Sequence, residues 1–179
     1  MSAGTIVRAA TAADAAAMAC IYNHYVSNTV VTFEEAPVAA AEMAARLAEV
    51  DGCGLPWLVA EDPQGVHGYA YAGRWKNRCA YRHSVEVTVY LAPEALRRGL
   101  GTQLYGALFA LLRQSEVHFA VGGIALPNEA SIALHEKFGM RKVAHFSEVG
   151  CKFGRWIDVG YWQLLLPERA APAAGAAIP

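Results

Sequence analysis

The stretch Leu96-Arg97-Arg98-Gly99-Leu100-Gly101-Thr102 sets two glycines two residues apart, with a basic pair before them and an apolar helical segment after, ending near Arg113. This is the make-up of an anion site. Backbone N–H groups at the start of a helix have no intrahelical acceptor, and those donors, with the positive end of the helix dipole, favour a phosphate. Gly99 and Gly101 carry no Cβ, so the turn can take a positive φ and the backbone can approach a ligand closely. Thr102-Gln103-Leu104 after Gly101 breaks a G-x-G-x-x-G dinucleotide fingerprint, and the G-x-x-x-x-G-K-[ST] pattern is not met either. The competing reading of a lone G-x-G is an ordinary turn beside a solvated basic pair.

A second group with chemistry precedes that turn. Ser84 to Leu91 alternates strictly, so Val85, Val87, Val89 and Leu91 face one way and Ser84, Glu86, Thr88 and Tyr90 the other. A strand feeding a phosphate-binding turn in an α/β layer tends to be central, which makes the mid-strand carboxylate of Glu86 a functional candidate rather than a solvent-facing charge. A third group lies in Gly73 to His83, where Arg74, Lys76, Arg78 and Arg82 interleave with Trp75 and Tyr81. Such a segment is either a solvated loop with one anchoring Trp or a set of cations that can clamp a carboxylate. Cys20, Cys53, Cys79 and Cys151 form no C-x-x-C, and are expected to be reduced, mostly buried thiols. His135-Glu136 begins like H-E-x-x-H but meets Gly139 at the fifth position, so no metal site is expected.

These groups need elements to hold them. At 179 residues, 55% of them hydrophobic and 17% charged, the chain can form one well-buried domain, expected over residues 1–168. The Ala-, Pro- and Gly-rich tail, 169–179, is expected to be disordered. A net charge of −1 provides no global field for nucleic acid or an anionic membrane, and no apolar run is long enough to span a bilayer. With no basic leader or apolar signal core after Met1, the expected location is cytoplasmic.

In order, Thr5 to Arg8 reads as a strand and Thr11 to Asp14 as a capping box opening a helix to about Val26, with Met18, Ile21, Tyr22 and Tyr25 on its core face. Thr29 to Phe33 reads as an extended piece over a cleft, followed by a helix from about Ala39 to Val50. Trp57 to Glu61 and Gly68 to Ala72 read as antiparallel strands joined by the turn Asp62-Pro63-Gln64-Gly65. After the helix from Gly99, a strand is expected over Phe119 to Leu126 and a helix over Ser131 to Phe138, capped by Asn128 and closed by Gly139. Two last strands fit Arg141 to Val149 and Asp158 to Leu166, with Lys152 to Trp156 between them.

Strand, R-x-G-x-G turn, helix, strand, Leu126-Pro127-Asn128, Ser131, helix and Phe138-Gly139-Met140 is an order that resembles the core of the GNAT acetyltransferases. Ile21-Tyr22-Asn23-His24-Tyr25, Trp57-Leu58-Val59-Ala60-Glu61, Gly68-Tyr69-Ala70, Trp75-Lys76, the Glu86 strand and Lys152-Phe153-Gly154-Arg155-Trp156-Ile157-Asp158 extend the similarity to the phosphinothricin and methionine sulfoximine N-acetyltransferases over most of the chain. The resemblance implies an α/β (α+β) GNAT fold, with a mixed central sheet of about six to seven strands and helices on both faces. It implies acetyl transfer from acetyl-CoA to a small-molecule amine in a ternary complex, the amine belonging to an amino acid or analogue. Another amine (a peptide N-terminus, polyamine or drug) and a non-catalytic acyl-CoA-binding module are the alternatives.

By the same resemblance Glu86 is the general base. Val87, Thr88 and Val89 bind the pantetheine arm, and the turn from Leu96 through Arg97, Arg98, Gly99, Leu100, Gly101 and Thr102 binds the pyrophosphate. Leu96 departs from the family's Gln or Arg and is expected to cost one side-chain contact. Asn128 and Ser131 are implied cofactor contacts. His135 stands where many GNAT enzymes have a Tyr, and either donates the proton to the thiolate or only contacts the cofactor. Arg74, Trp75, Lys76, Arg78, Tyr81, Ser84, Val85 and Glu86 line the implied acceptor site, with Phe33 as a lid. A homodimer is implied, and Lys152 to Asp158 sit either at its contact or near the acceptor pocket.

Overall fold

The alternation of Ser84 to Leu91 is realised as a strand with those bounds, and the apolar runs on either side fold into a sheet around it. The computed structural model describes residues 4–166, so the tail expected to be disordered lies outside the described residues. In chain order the elements are β1 (Ile6–Ala9), α1 (Ala15–Asn28), α2 (Ala40–Gly52), β2 (Trp57–Asp62), β3 (Gly65–Arg74), β4 (Ser84–Leu91), α3 (Leu100–Leu112), β5 (Phe119–Leu126), α4 (Glu129–Lys137), β6 (Arg141–Lys152) and β7 (Arg155–Leu165). The sheet has seven strands in the order β1-β2-β3-β4-β5-β7-β6. It is a mixed sheet, antiparallel throughout except where β4 runs parallel to β5.

Strand alternation divides the core in two. Leu58, Ala60, Ala70, Ala72, Val85 and Val87 point to the face covered by α3, against Leu104, Leu108, Phe109 and Leu112. Trp57, Val59 and Tyr69 point to the other face, against Met18, Ile21 and Tyr22 of α1 and Met43 and Leu47 of α2. Both faces of β4 are therefore packed, and the charged residue in its middle, Glu86, is half-buried.

The predicted caps form. The backbone N–H and hydroxyl of Thr11 donate to Asp14 Oδ2 at 2.8 and 3.0 Å. Arg8 donates to both oxygens of Asp14, and its guanidinium holds that carboxyl down at about 2. Asn128 Oδ1 accepts the Ser131 N–H at 3.1 Å, and Gly139, at φ +83°, closes α4. The Asn23 amide exchanges two hydrogen bonds with the Val38 backbone, at 2.9 and 2.7 Å, tying α1 to the start of α2.

Three expectations are corrected. Lys152 to Trp156 is no separate connection, because β6 and β7 continue through it and leave only Phe153-Gly154, at φ +52° and +70°, as a two-residue hairpin turn. A phenylalanine in a left-handed turn position is uncommon, so no sequence rule marks it. Thr29 to Phe33 is a bent loop rather than an extended strand-like piece. The four cysteines are free thiols, as expected, but Cys20, Cys79 and Cys151 are exposed.

Candidate active site

The site follows from one feature of the sheet. β4 and β5 pair only through Ser84↔Phe119, Val85↔Ala120 and Glu86↔Val121. Beyond that point β4 stays bound to β3 as far as Leu91, and β5 stays bound to β7 as far as Leu126, but they no longer pair with each other. The strands fork, and the edges of 87–91 and 122–126 that would complete a continuous sheet face an open cleft of about 280 Å³. Its wall includes Glu86, Val87, Thr88, Val89 and Tyr90 from β4, Gly123, Ile124 and Ala125 from β5, and Tyr105, Asn128, Ser131 and His135 from the helices α3 and α4.

Glu86 sits at the vertex. A Cβ built on Gly123 would stand 3.3 Å from Glu86 Oε1 and 3.2 Å from the Tyr161 ring, so any side chain at this crossing would press on the carboxylate. Burial raises the Glu86 pKa above the ordinary carboxylate value, while the charge of Lys76 and the Gly123 backbone N–H partly oppose the shift. Tyr71, hydrogen-bonded to Thr88 and stacked on Trp57 at 4.0 Å between ring centroids, completes this wall.

On the α3 and α4 side, His135 is 4% exposed. Its Nδ1 lies 2.7 Å from the Ser131 carbonyl oxygen, which can only accept, so Nδ1 carries the proton. Nε2 lies 3.0 Å from the Tyr105 hydroxyl. Burial lowers the His135 pKa and raises that of Tyr105, so both groups are held neutral and Tyr105 donates to Nε2.

The glycine turn opens α3 as expected, but its two glycines act differently. Gly99 caps the helix at φ +80°, a conformation that side chains rarely adopt, and Arg97 before it is at +62°. Gly101 is buried, and a Cβ there would press on Leu134 of α4 at 3.2 Å. Gly99 offers no side-chain cap, so the N–H groups of Leu100, Gly101 and Thr102 have no acceptor within the helix. The Leu100 side chain enters the core, and Leu96, Arg97 and Arg98 are exposed.

The expected acceptor residues separate. Trp75 packs on Tyr81 and Phe119, each at 5.5 Å, and carries the Lys76 ammonium over its ring at 5.1 Å. Lys76 is the loop cation whose charge acts on Glu86, and Arg74, Arg78 and Arg82 are exposed. Ser84 begins β4 opposite Phe119. The Val85 side chain does not line the cleft, because strand alternation turns it into the α3-side core. Phe33 packs instead against the backbone of Gly150 on β6, and the cleft-lining residues of its loop are Val31 and Thr32. Sequence reasoning missed Tyr105, Gly123 and Tyr161 as site residues. Tyr105 looks like one more apolar helix position, and the other two lie on strands whose pairing no local pattern discloses. Among the described residues no group of His, Cys, Asp and Glu could hold a metal ion, and no helix is long and apolar enough to cross a membrane.

Comparison with known proteins agrees with this geometry. The chain is 39% identical over 168 residues to the L-amino acid N-acyltransferase MnaT of Escherichia coli (strain K12), covering 94% of this chain and 98% of that protein. It is also 39% identical over 168 residues to the L-methionine sulfoximine/L-methionine sulfone acetyltransferase of Salmonella typhimurium, with the same coverage of 94% and 98%. The crystal structure of a GNAT superfamily phosphinothricin acetyltransferase from Sinorhizobium meliloti in complex with AcCoA superposes with a TM-score of 0.90 at 38% identity, over 96% of this chain and 94% of that one. The acetyltransferase (GNAT) domain model matches residues 7–160, and the chain belongs to the GNAT acetyltransferase family.

Proposed function

We propose that this chain is an acetyl-CoA-dependent N-acetyltransferase acting on the amino group of a small amino acid or analogue, of the phosphinothricin or methionine sulfoximine kind, by direct transfer in a ternary complex. The observation that carries it is the half-buried carboxylate of Glu86 at the vertex of the β4–β5 fork. The α3 N-terminus supplies unpaired N–H donors for a pyrophosphate, and the open edge of β4 from Val87 to Val89 supplies backbone groups for a pantetheine arm. Asn128 and Ser131 line the same cleft. Acetyl-CoA fits these donors, and bound there it would supply an acetyl group activated as a thioester.

Glu86 acts as the base. An amine of ordinary basicity arrives as an ammonium, and a carboxylate whose pKa is raised by burial is a better proton acceptor than an exposed one. One proton leaves before the new C–N bond forms and a second after it; one goes to solvent, and the other balances the proton taken by the released thiol. Because Glu86, Thr88 and Tyr90 face α1 and its loop, the acceptor approaches from that side. Tyr105 and His135 stand on the opposite side, where α3 and α4 hold the cofactor. His135, neutral and with Nε2 unprotonated, fixes the Tyr105 hydroxyl against the cleft rather than acting as the acid. Lys76 is the cation placed to hold an acceptor carboxylate while its amine meets Glu86.

The domain spans residues 1–168 in this reading. A homodimer is supported by apolar exposure on the β6–β7 hairpin, where Phe146, Val149, Phe153 and Trp156 are exposed and Trp156 keeps 65% of its surface. A monomer by light scattering would remove the dimer. A cytoplasmic location is supported by the exposed free thiols, which suit a reducing compartment.

The experiment is steady-state thiol release from acetyl-CoA against methionine sulfoximine, methionine sulfone, phosphinothricin, the common amino acids, spermidine and a short peptide. Saturable turnover confined to amino acids and their analogues is the expected result. Turnover only with spermidine or peptide would overturn the acceptor class, and no turnover despite acetyl-CoA binding would overturn the enzyme reading.

A further inference from the structure

One buried charge has no part in the chemistry above. Lys152, at the end of β6, is 1% exposed, and its ammonium donates to the Thr32 carbonyl oxygen at 2.8 Å across 120 residues of sequence. Burial depresses its pKa, and the nearby carboxylates of Glu34 and Glu35 favour the ammonium. Its stem and head pack beside Phe153, with the ammonium 5.0 Å from the ring centroid. A lysine is rarely buried to this extent unless it holds something in place.

What it holds is a wall of the cleft. Thr32 lines the cleft with Val31, and its side chain is fixed from two further elements. The Tyr22 hydroxyl lies 2.7 Å from Thr32 Oγ1 and 2.9 Å from Glu34 Oε1. An ionised carboxylate only accepts, so Tyr22 gives its proton to Glu34 and receives that of Thr32. Tyr90 of β4 packs edge-on against the Tyr22 ring, at 5.1 Å between ring centroids. Arg46 of α2 ends the chain with two hydrogen bonds to Glu34, at 2.7 and 3.1 Å. Next to Thr32, the Phe33 ring lies on Gly150, so closely that a Cβ at that glycine would collide with it. Two contacts from β6, one ionic and one steric, thus set where the loop stands over the Glu86 face of β4.

We propose that Lys152 is a positioning residue for the acceptor amine: by clasping the Thr32 carbonyl it sets the position of the Val31–Thr32 wall, and with it the fit of the acceptor's side chain. This rests on the acetyltransferase reading for the identity of the ligand, but the clasp itself does not. The ammonium touches the loop backbone and not the cleft, so its loss acts on acceptor binding and spares the cofactor side, which is built from the α3 N-terminus, α4 and the facing edges of β4 and β5.

The test uses Lys152→Met, which keeps the apolar stem, and Gly150→Ala, which pushes on Phe33 without altering Lys152. Both are measured by steady-state kinetics and by amide hydrogen exchange of residues 29–35. The expected result is a rise of about tenfold in acceptor KM, the scale of one charge-assisted hydrogen bond, with the acetyl-CoA KM unchanged and faster exchange confined to the loop. Unchanged exchange in Lys152→Met would overturn the clasp whatever the activity. Faster exchange with an unchanged acceptor KM in both variants, or a parallel rise in both KM values, would overturn the positioning role. If Lys152→Met does not fold, Lys152→Gln, which is neutral and shorter than the lysine, carries the same decision, and Gly150→Ala reads the Phe33 contact alone. A wild-type protein inactive with every amine would count against the proposed function alone, since hydrogen exchange still reads the clasp.

Discussion

The Tyr105 hydroxyl donates to Nε2 of His135 across 3.0 Å, while Nδ1 of that ring is committed to the Ser131 carbonyl oxygen at 2.7 Å. This places the proton between the two groups on Tyr105, on helix α3, and not on His135 of the helix that Asn128 caps. This geometry favours the contact role of the two roles open to His135 at the level of sequence, because burial lowers the ring's pKa and its Nε2 accepts from Tyr105.

Tyr105→Phe is therefore expected to lower kcat by about ten- to a hundredfold, the range for loss of one hydrogen-bonding group in a closed site. His135→Gln, which can still accept from Tyr105, is expected to lose less than His135→Ala. Any ionisation of His135 in the kcat profile is expected below the ordinary imidazole value. A limb at or above that value that disappears in His135→Gln would return the acid role to the histidine.

Glu86→Gln should separate activity from stability. Loss of a general base costs about a hundredfold or more in turnover. The folded-state pKa of Glu86 is raised, so the native protein binds this proton more readily than the unfolded chain. The group is at no disadvantage below its unfolded pKa, and stability is lost as pH rises through the raised one. At pH 7 to 8 the glutamine variant is expected to melt at a higher temperature than wild type, with the difference shrinking toward pH 4. An equally active variant would show that the carboxylate is not the base, and a variant less stable at pH 8 would show that it is not strained by burial.

Much of this site could be read in the chain because its signals are local. Strict alternation marked β4 and the face of Glu86, the glycine spacing marked the start of α3, and Asn128 capped α4 by its own side chain. What escaped depends on pairing between distant segments. Alternation does not show where β4 leaves β5, although it already turned Val85 away from Glu86, and the resemblance that grouped the two did not respect it. Phe33 was expected as a lid from the family resemblance, but Gly150, which receives its ring, lies on a strand more than a hundred residues later. Phe153 in a left-handed turn hid the hairpin, and with it the burial of Lys152.

The two glycines of the turn give a prediction that distinguishes their roles. Gly99→Ala forces a Cβ into a left-handed cap, which costs about 1 kcal/mol in stability. Gly101→Val adds atoms where a Cβ alone already stands 3.2 Å from Leu134, so it displaces α4 relative to α3. The acetyl-CoA KM is expected to rise severalfold in Gly101→Val at unchanged acceptor KM. An unaltered affinity for acetyl-CoA would mean that the turn is not the pyrophosphate site.

Lys76 acts on Glu86 through space and stands in the loop beside Trp75, so one substitution probes both halves of its role. Removing its charge in Lys76→Met takes away an influence that lowers the Glu86 pKa, leaving burial less opposed. The carboxylate then stays protonated to a higher pH, and the acid limb of kcat/KM is expected to shift upward. Comparing wild type and variant on one acceptor cancels the titration of the acceptor's own amine. If Lys76 also holds the acceptor carboxylate, KM for an amino acid rises about tenfold, while KM for the matching amine without a carboxylate stays put. A shifted limb with no such difference would leave Lys76 as a modulator of Glu86 alone, and an unmoved limb would show that its charge does not reach the base.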